Sequence, residues 1–201
     1  MKKLLFTLIV TSLASTGLFA QGLSGGVKAG VNLANLTGDD VEDSDMRIAY
    51  HVGGYVNYAF SESVSLQPEL LFNSVGAKTS YTDPDFGDVE ETFVLNYLSV
   101  PVDLVYSFGN FNIQAGPQFG FLLSAKDKYE IDGESDDVDI KDEMKGIDFG
   151  VNLGVGANFG KLNATARYVI GLSNVIDSDD ADVKNGVIQV SLGYRLFGDD
   201  K

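Results

Sequence analysis

From Ile147 to Gly160 the chain alternates without interruption for fourteen residues. Ile147, Phe149, Val151, Leu153, Val155, Ala157 and Phe159 are all apolar, whereas Asp148, Gly150, Asn152, Gly154, Gly156, Asn158 and Gly160 are all polar or glycine. A period of two predicts an extended strand with one face in an apolar medium and the other in a polar one. The run is more than twice the usual soluble strand of about 5–6 residues. Some 9–11 such residues, tilted by about 45°, are enough to cross a bilayer. Alternate glycines suit a crowded interior in which backbones approach closely and large side chains need room beside them. The stretch therefore predicts a membrane-spanning barrel strand, and the rest of the chain must supply its neighbours.

Seven further segments repeat the alternation: Leu23 to Ala34, Ile48 to Phe60, Val64 to Asn73, Thr92 to Phe108, Phe111 to Ser124, Leu162 to Leu172 and Val187 to Phe197. Thr92 to Phe108 is the least regular. The apolar phase carries Tyr50, Tyr58, Phe60, Phe72, Tyr106, Phe108, Phe111, Phe119, Phe121, Phe159, Tyr168 and Tyr194. Many of these fall near strand ends, where aromatic girdles meet the two membrane surfaces. A soluble ligand-binding barrel would turn the apolar face inward instead. The expected fold is all-β: an eight-stranded antiparallel up-and-down transmembrane β-barrel, an even strand number as bacterial single-chain barrels have.

The connections alternate between two kinds. Ser61-Glu62-Ser63, Gly109-Asn110 and Gly160-Lys161 are tight, while 35–47, 74–91, 125–146 and 173–186 are long and acidic. Short periplasmic turns and long extracellular loops are the expected arrangement. The four loops hold 23 of the 29 acidic residues. The longest contains Asp127, Glu130, Asp132, Glu134, Asp136, Asp137, Asp139, Asp142 and Glu143, but its spacing does not fit a twelve-residue EF-hand loop. It is expected to be a solvated, self-repelling loop, with loose divalent-cation bridging to lipid headgroups as the alternative. The formal charge of −15 argues against a nucleic-acid partner.

Met1 to Ala20 reads as a secretory signal peptide: Lys2 and Lys3, an apolar core from Leu4 to Val10, and Leu18-Phe19-Ala20 before cleavage. Export would leave 21–201, starting at Gln21, as one outer-membrane barrel domain with a charge of −17 after loss of the two lysines. The chain has no cysteine, which excludes disulfides, thiol catalysis and cysteine-ligated metals. Periplasmic chaperones and the barrel-assembly machinery are the expected partners in transit, and outer-membrane lipid at the destination.

Candidate chemistry is sparse. His51 is the only histidine and lies in the inward phase beside Ala49, Gly53 and Tyr55. Serine-hydrolase chemistry needs a placed nucleophile and an orienting acid, and no motif marks either. GVKAG (26–30) and GVGANFG (154–160) have phosphate-loop-like glycines but no helix after them. The inward charges are more informative: Lys28, Glu69, Asp103, Arg167 and Arg195. Glu69 lies six residues past Ser63, Asp103 six before Gly109, and Arg167 six after Lys161, so these three share a height above the tight turns. Unpaired charges inside a barrel are costly, so a neutralising structural cluster is expected. Arg195 would reach it through strand stagger, and Gln67 and Gln114 would complete its hydrogen bonds.

Several stretches resemble the PorT family of outer-membrane barrels and the related eight-stranded barrel domain. GVKAGVNLANL (26–36) is similar to the family's first strand and SLQPELLFNSVGAK (65–78) to its third. YLSVPVDLVYSF (97–108), IQAGPQFGFLLSAK (113–126), ARYVIGLSNV (166–175) and SLGYRLF (191–197) also match in order. The chain departs at Leu196, where the family more often has phenylalanine. The resemblance implies an outer-membrane barrel, in a family whose named members serve secretion and gliding machinery. The reading is a small non-enzymatic barrel with a side-chain-filled lumen and acidic external loops for surface contacts or membrane structure. No catalytic residue, cofactor or metal is expected. The alternative is an accessory subunit of a secretion or transport complex with an envelope protein partner, and the third a lipid-processing enzyme. Eight strands leave no room for a general porin.

Overall fold

The computed structural model describes residues 22–39, 41, 44–83, 87–131, 134–178 and 181–198. The expected signal peptide 1–20, the mature start at Gln21 and loop residue Asp132 lie outside the described residues. The alternating segments become Leu23–Thr37 (β1), Asp45–Ala59 (β2), Val64–Asp83 (β3), Gly87–Phe108 (β4), Phe111–Ile131 (β5), Glu134–Asp139 (β6), Ile147–Phe159 (β7), Leu162–Gly171 (β8) and Lys184–Phe197 (β9). Antiparallel ladders join β1–β2–β3–β4–β5 and then β5–β7–β8–β9. A last ladder returns from β9 to β1, so a circuit of eight strands closes on itself. Closure satisfies backbone groups that an open edge would leave bare in lipid.

The described residues hold nine strands where the alternation predicted eight. The extra strand, β6, pairs with the far end of β5, from Lys126↔Asp139 to Ile131↔Glu134, and stands outside the circuit. Two expected loops are corrected with it. The 74–91 stretch is largely strand, with β3 and β4 paired continuously from Ser74↔Asn96 to Asp83↔Gly87. Much of 125–146 is the β5–β6 hairpin. The reason is physical. Beyond the membrane the outer face of the sheet meets water instead of lipid, so the outward phase turns polar at Lys78, Ser80, Glu90, Lys126 and Lys128 while the inward phase stays largely covered and the backbone ladder continues. Thr79, Tyr81, Val89 and Thr92 supply the β-branched and aromatic residues that favour it.

The two faces of the wall differ as the alternation requires. Leu192 is 67 % exposed and Leu153 53 %, while inward Asn152 and Gln189 are 0 % and 1 %. Exposed aromatics pair near the tight turns, Tyr58 with Phe60, Tyr106 with Phe108, and Phe108 with Phe111. Others lie towards the opposite end, Tyr50 with Phe72 and Phe119 with Phe149. Phe111 and Phe121 are ten residues apart on β5, roughly 33 Å along a strand at about 3.3 Å per residue. At a tilt near 40–45° that is close to the apolar band of about 25 Å in outer-membrane barrels.

Candidate functional site

Glycine on one strand makes room for a long side chain on the next. Lys28 is in register with Gly53 and Gly193, His51 with Gly30, and Arg167 with Gly154. A methyl at Gly30 would come within 2.6 Å of the His51 ring and 2.1 Å of the Val190 carbonyl. This is why the inward phase alternates large polar residues with glycine.

The structure brings Lys28, Glu69, Asp103 and Arg167 together. Lys28 Nζ donates to Glu69 Oε1 at 2.5 Å. Arg167 clamps Glu69 with both terminal nitrogens, at 3.2 Å to Oε2 and 2.9 Å to Oε1. The same guanidinium lies 2.7 Å from Asp103 Oδ2, an ion pair without the alignment of a directed hydrogen bond. Gln67 donates to Glu69 at 2.8 Å, and Gln114 accepts from Arg167 at 2.8 Å. Asn152 donates to Asp103 at 3.1 Å. Two cations face two acids, so the buried group is neutral as a whole. Arg195 is a correction to the expected five. It is half-exposed near the turn end of β9 and donates to the Gly160 carbonyl at 3.0 Å. Stagger places it beside the β7–β8 turn instead of at the height of Arg167.

On the side of this cluster away from the tight turns lies a constellation that sequence reasoning missed. His51 Nδ1 is 2.7 Å from Asn32 Oδ1, and Nε2 is 2.8 Å from Ser191 Oγ. An amide oxygen only accepts, so Nδ1 carries the proton and Nε2 accepts from the serine. That is the hydrogen-bond order of a hydrolase triad. Three strands contribute one residue each, so no local motif could announce it. All three side chains are buried. The Ser191 backbone sits in ladders to Gly30 and Thr165. Asn32 also binds Asn73 at 2.7 Å and Gln189 at 3.2 Å, tying the group into a wider amide network.

The mouth opposite the tight turns is apolar inside. Ala34, Val75, Leu95, Tyr97, Leu122, Ala125, Val169 and Val187 form one buried cluster with Ile140. Ile140 and Met144 reach it from the β6–β7 connection, with Met144 bridged to Ile176 of the β8–β9 connection. Lys145 N–H donates to the Val175 carbonyl, and Asp177 N–H to the Glu143 carbonyl, both at 2.9 Å. A cavity of about 200 Å³ lies beside these connections, lined by Leu36, Ala77, Phe93, Leu95, Met144 and Val175 among others. The solvated reading of 125–146 is thereby corrected: its second half caps the mouth.

Beyond the mouth, β3, β4, β5 and β6 continue as a four-stranded sheet. On one face Lys78 pairs with Glu90 at 3.1 Å, and Lys126 pairs with Asp137. That hydrogen bond holds the Lys126 ammonium above its ordinary pKa and Asp137 below its own. On the other face the Tyr129 hydroxyl donates to Asp127 Oδ2. This bond pushes the phenol pKa up. Burial, followed by the neighbouring Asp127, raises Glu91.

A wall closed on itself, apolar outside and polar inside, defines a membrane β-barrel. The chain belongs to the outer membrane protein β-barrel domain family, which matches residues 19–177, and the protein is accordingly an outer-membrane protein. Its fold is similar to that of Ail, the attachment invasion locus protein of Yersinia pestis, at 15% identity and TM-score 0.50, over 87% of this chain and 99% of that one. Ail in complex with the heparin analogue sucrose octasulfate aligns at TM-score 0.51, with 15% identity and the same coverage. Neisserial surface protein A aligns at 13% identity and TM-score 0.50, over 86% of this chain and 98% of that one. Identities this low establish the fold alone. No match was found among curated proteins.

Proposed function

We propose that this protein is a small, non-conducting and non-enzymatic eight-stranded transmembrane barrel that works through its projecting sheet. In this reading the leader 1–20 directs export, chaperones deliver the chain to the assembly machinery, and the tight turns face the periplasm. The acidic sheet then stands outside the cell. The carrying observation is the outer edge of β6, which has no partner strand among the described residues. Ser135 to Asp139 are all exposed along it. An unpaired edge recruits an extended segment as an added strand, through main-chain hydrogen bonds. The acids Asp136, Asp137 and Asp139 select a basic one. The neutral luminal cluster and apolar mouth serve to close the barrel.

The test uses an immobilised peptide of alternating lysine and valine. Wild-type protein should bind it with a strong salt dependence, and a variant lacking 134–139 should not. Equal binding by both would refute the β6 edge as the contact.

Two further readings have one observation each. The PorT-like stretches support an accessory role in a secretion or transport complex. The Ser191–His51–Asn32 order supports a lipid-processing enzyme. Catalysis also needs substrate room and free donors for an oxyanion, whereas Ser191 is buried and its backbone lies in two ladders. A fluorophosphonate probe should leave Ser191 unlabelled in the folded barrel. Labelling there would move the protein to the hydrolases.

A further inference from the structure

We propose that Glu91 and Asp127 form a divalent-cation site of the calcium type on the inner face of the projecting sheet. The site is independent of what the β6 edge binds. The two faces of this sheet treat charge differently. On the outer face Glu90 and Asp137 each have a lysine. On the inner face Tyr129 is in register with Glu91, and Phe93 with Asp127. Among the described residues, no lysine or arginine forms an ion pair with Glu91 or Asp127. Asp127 is only 4 % exposed. Its Oδ2 accepts from Tyr129, but its Oδ1 is buried and has no hydrogen-bond partner. Backbone amides of β4 and β5 cannot serve it, because they are spent on the ladder between the two strands.

A buried carboxylate oxygen with no donor, beside a second carboxylate, lacks a positive charge. Two carboxylates supply the two negative charges that a divalent ion needs. The phenol adds a third oxygen, and the all-oxygen set selects a hard cation. No group of three or more metal-binding side chains gathers among the described residues, so water completes the shell. A site with so few protein ligands belongs with extracellular modules that bind calcium at about 10⁻⁴–10⁻³ M.

Terbium, a luminescent calcium substitute, tests this on the refolded full-length barrel in detergent. The chain has no tryptophan, so sensitised emission must come from a tyrosine beside the ion. Wild type should emit, and millimolar calcium should quench the signal. Tyr129→Phe should bind but emit weakly. Asp127→Asn should abolish the site and Glu91→Gln should weaken it by more than about 10-fold, since loss of even an outer-shell partner at a metal site costs that much. Gel migration before and after boiling confirms that each variant is folded. Unchanged emission and calcium competition in both carboxylate variants, or no emission dependent on Tyr129, would overturn the site and leave a proton shared between two carboxylates.

Discussion

The barrel interior has two storeys, filled by the same inward phase of the same strands with opposite chemistry. Midway along the wall, Lys28, Glu69, Asp103 and Arg167 satisfy one another in a neutral group. Nearer the mouth, Val75, Leu95, Tyr97 and Leu122 pack as an ordinary hydrophobic core, capped by Ile140. The charged storey depends on every member being present. The apolar storey depends on volume and degrades piece by piece. One is therefore specific and brittle, the other tolerant.

The strongest test removes a charge. Arg167→Met should cost about 3–5 kcal/mol, because Glu69 and Asp103 lose their shared cation while still buried. Urea unfolding in detergent measures it, and adding Glu69→Gln should regain part of the loss by restoring neutrality. Wild-type stability in the single variant would mean that water already reaches the cluster. In the apolar storey Leu95→Ala should cost about 2–4 kcal/mol as a cavity, with no second substitution that rescues it through charge. Ile140→Ser acts on the cap alone. It should speed amide exchange at Ile140 and Lys145 and leave the unfolding midpoint of the wall in place, since such segments open locally. Equal slowing or speeding across the whole barrel would join cap and wall into one cooperative unit. Smallest of all is Lys126→Ala. Both partners of its ion pair are open to water, where screening leaves little to lose, and the midpoint should not move.

The wall was legible because lipid outside and crowding inside impose a strict period of two, so β7 could be read residue by residue. The charged storey was legible for a related reason: charges are rare in the inward phase, and counting residues from the tight turns ranked Glu69, Asp103 and Arg167 at one height. Arg195 was misplaced because shear, which offsets neighbouring strands, cannot be counted along one strand. The apolar storey was hidden because Leu95 and Tyr97 are apolar yet point inward, which blurs the alternation of β4. The projecting sheet was hidden because its outward phase turns polar beyond the lipid, at Lys78, Glu90, Lys126 and Lys128, so the apolar signal of a wall strand stops there. Asn32, His51 and Ser191 meet only across three strands, and Ser191 stands 140 residues from His51 along the chain.

β5 runs unbroken from the Gly109-Asn110 turn to the tip of the projecting sheet, paired along nearly its whole length with β4. Barrel and sheet therefore share three strands, β3, β4 and β5, with no joint between them. Any contact made at the tip pulls along the strand direction, so the load falls in shear on many ladder hydrogen bonds at once instead of peeling them singly. A tug at the tip is thus carried into the barrel wall, and the contact at β6 should yield before the anchor does.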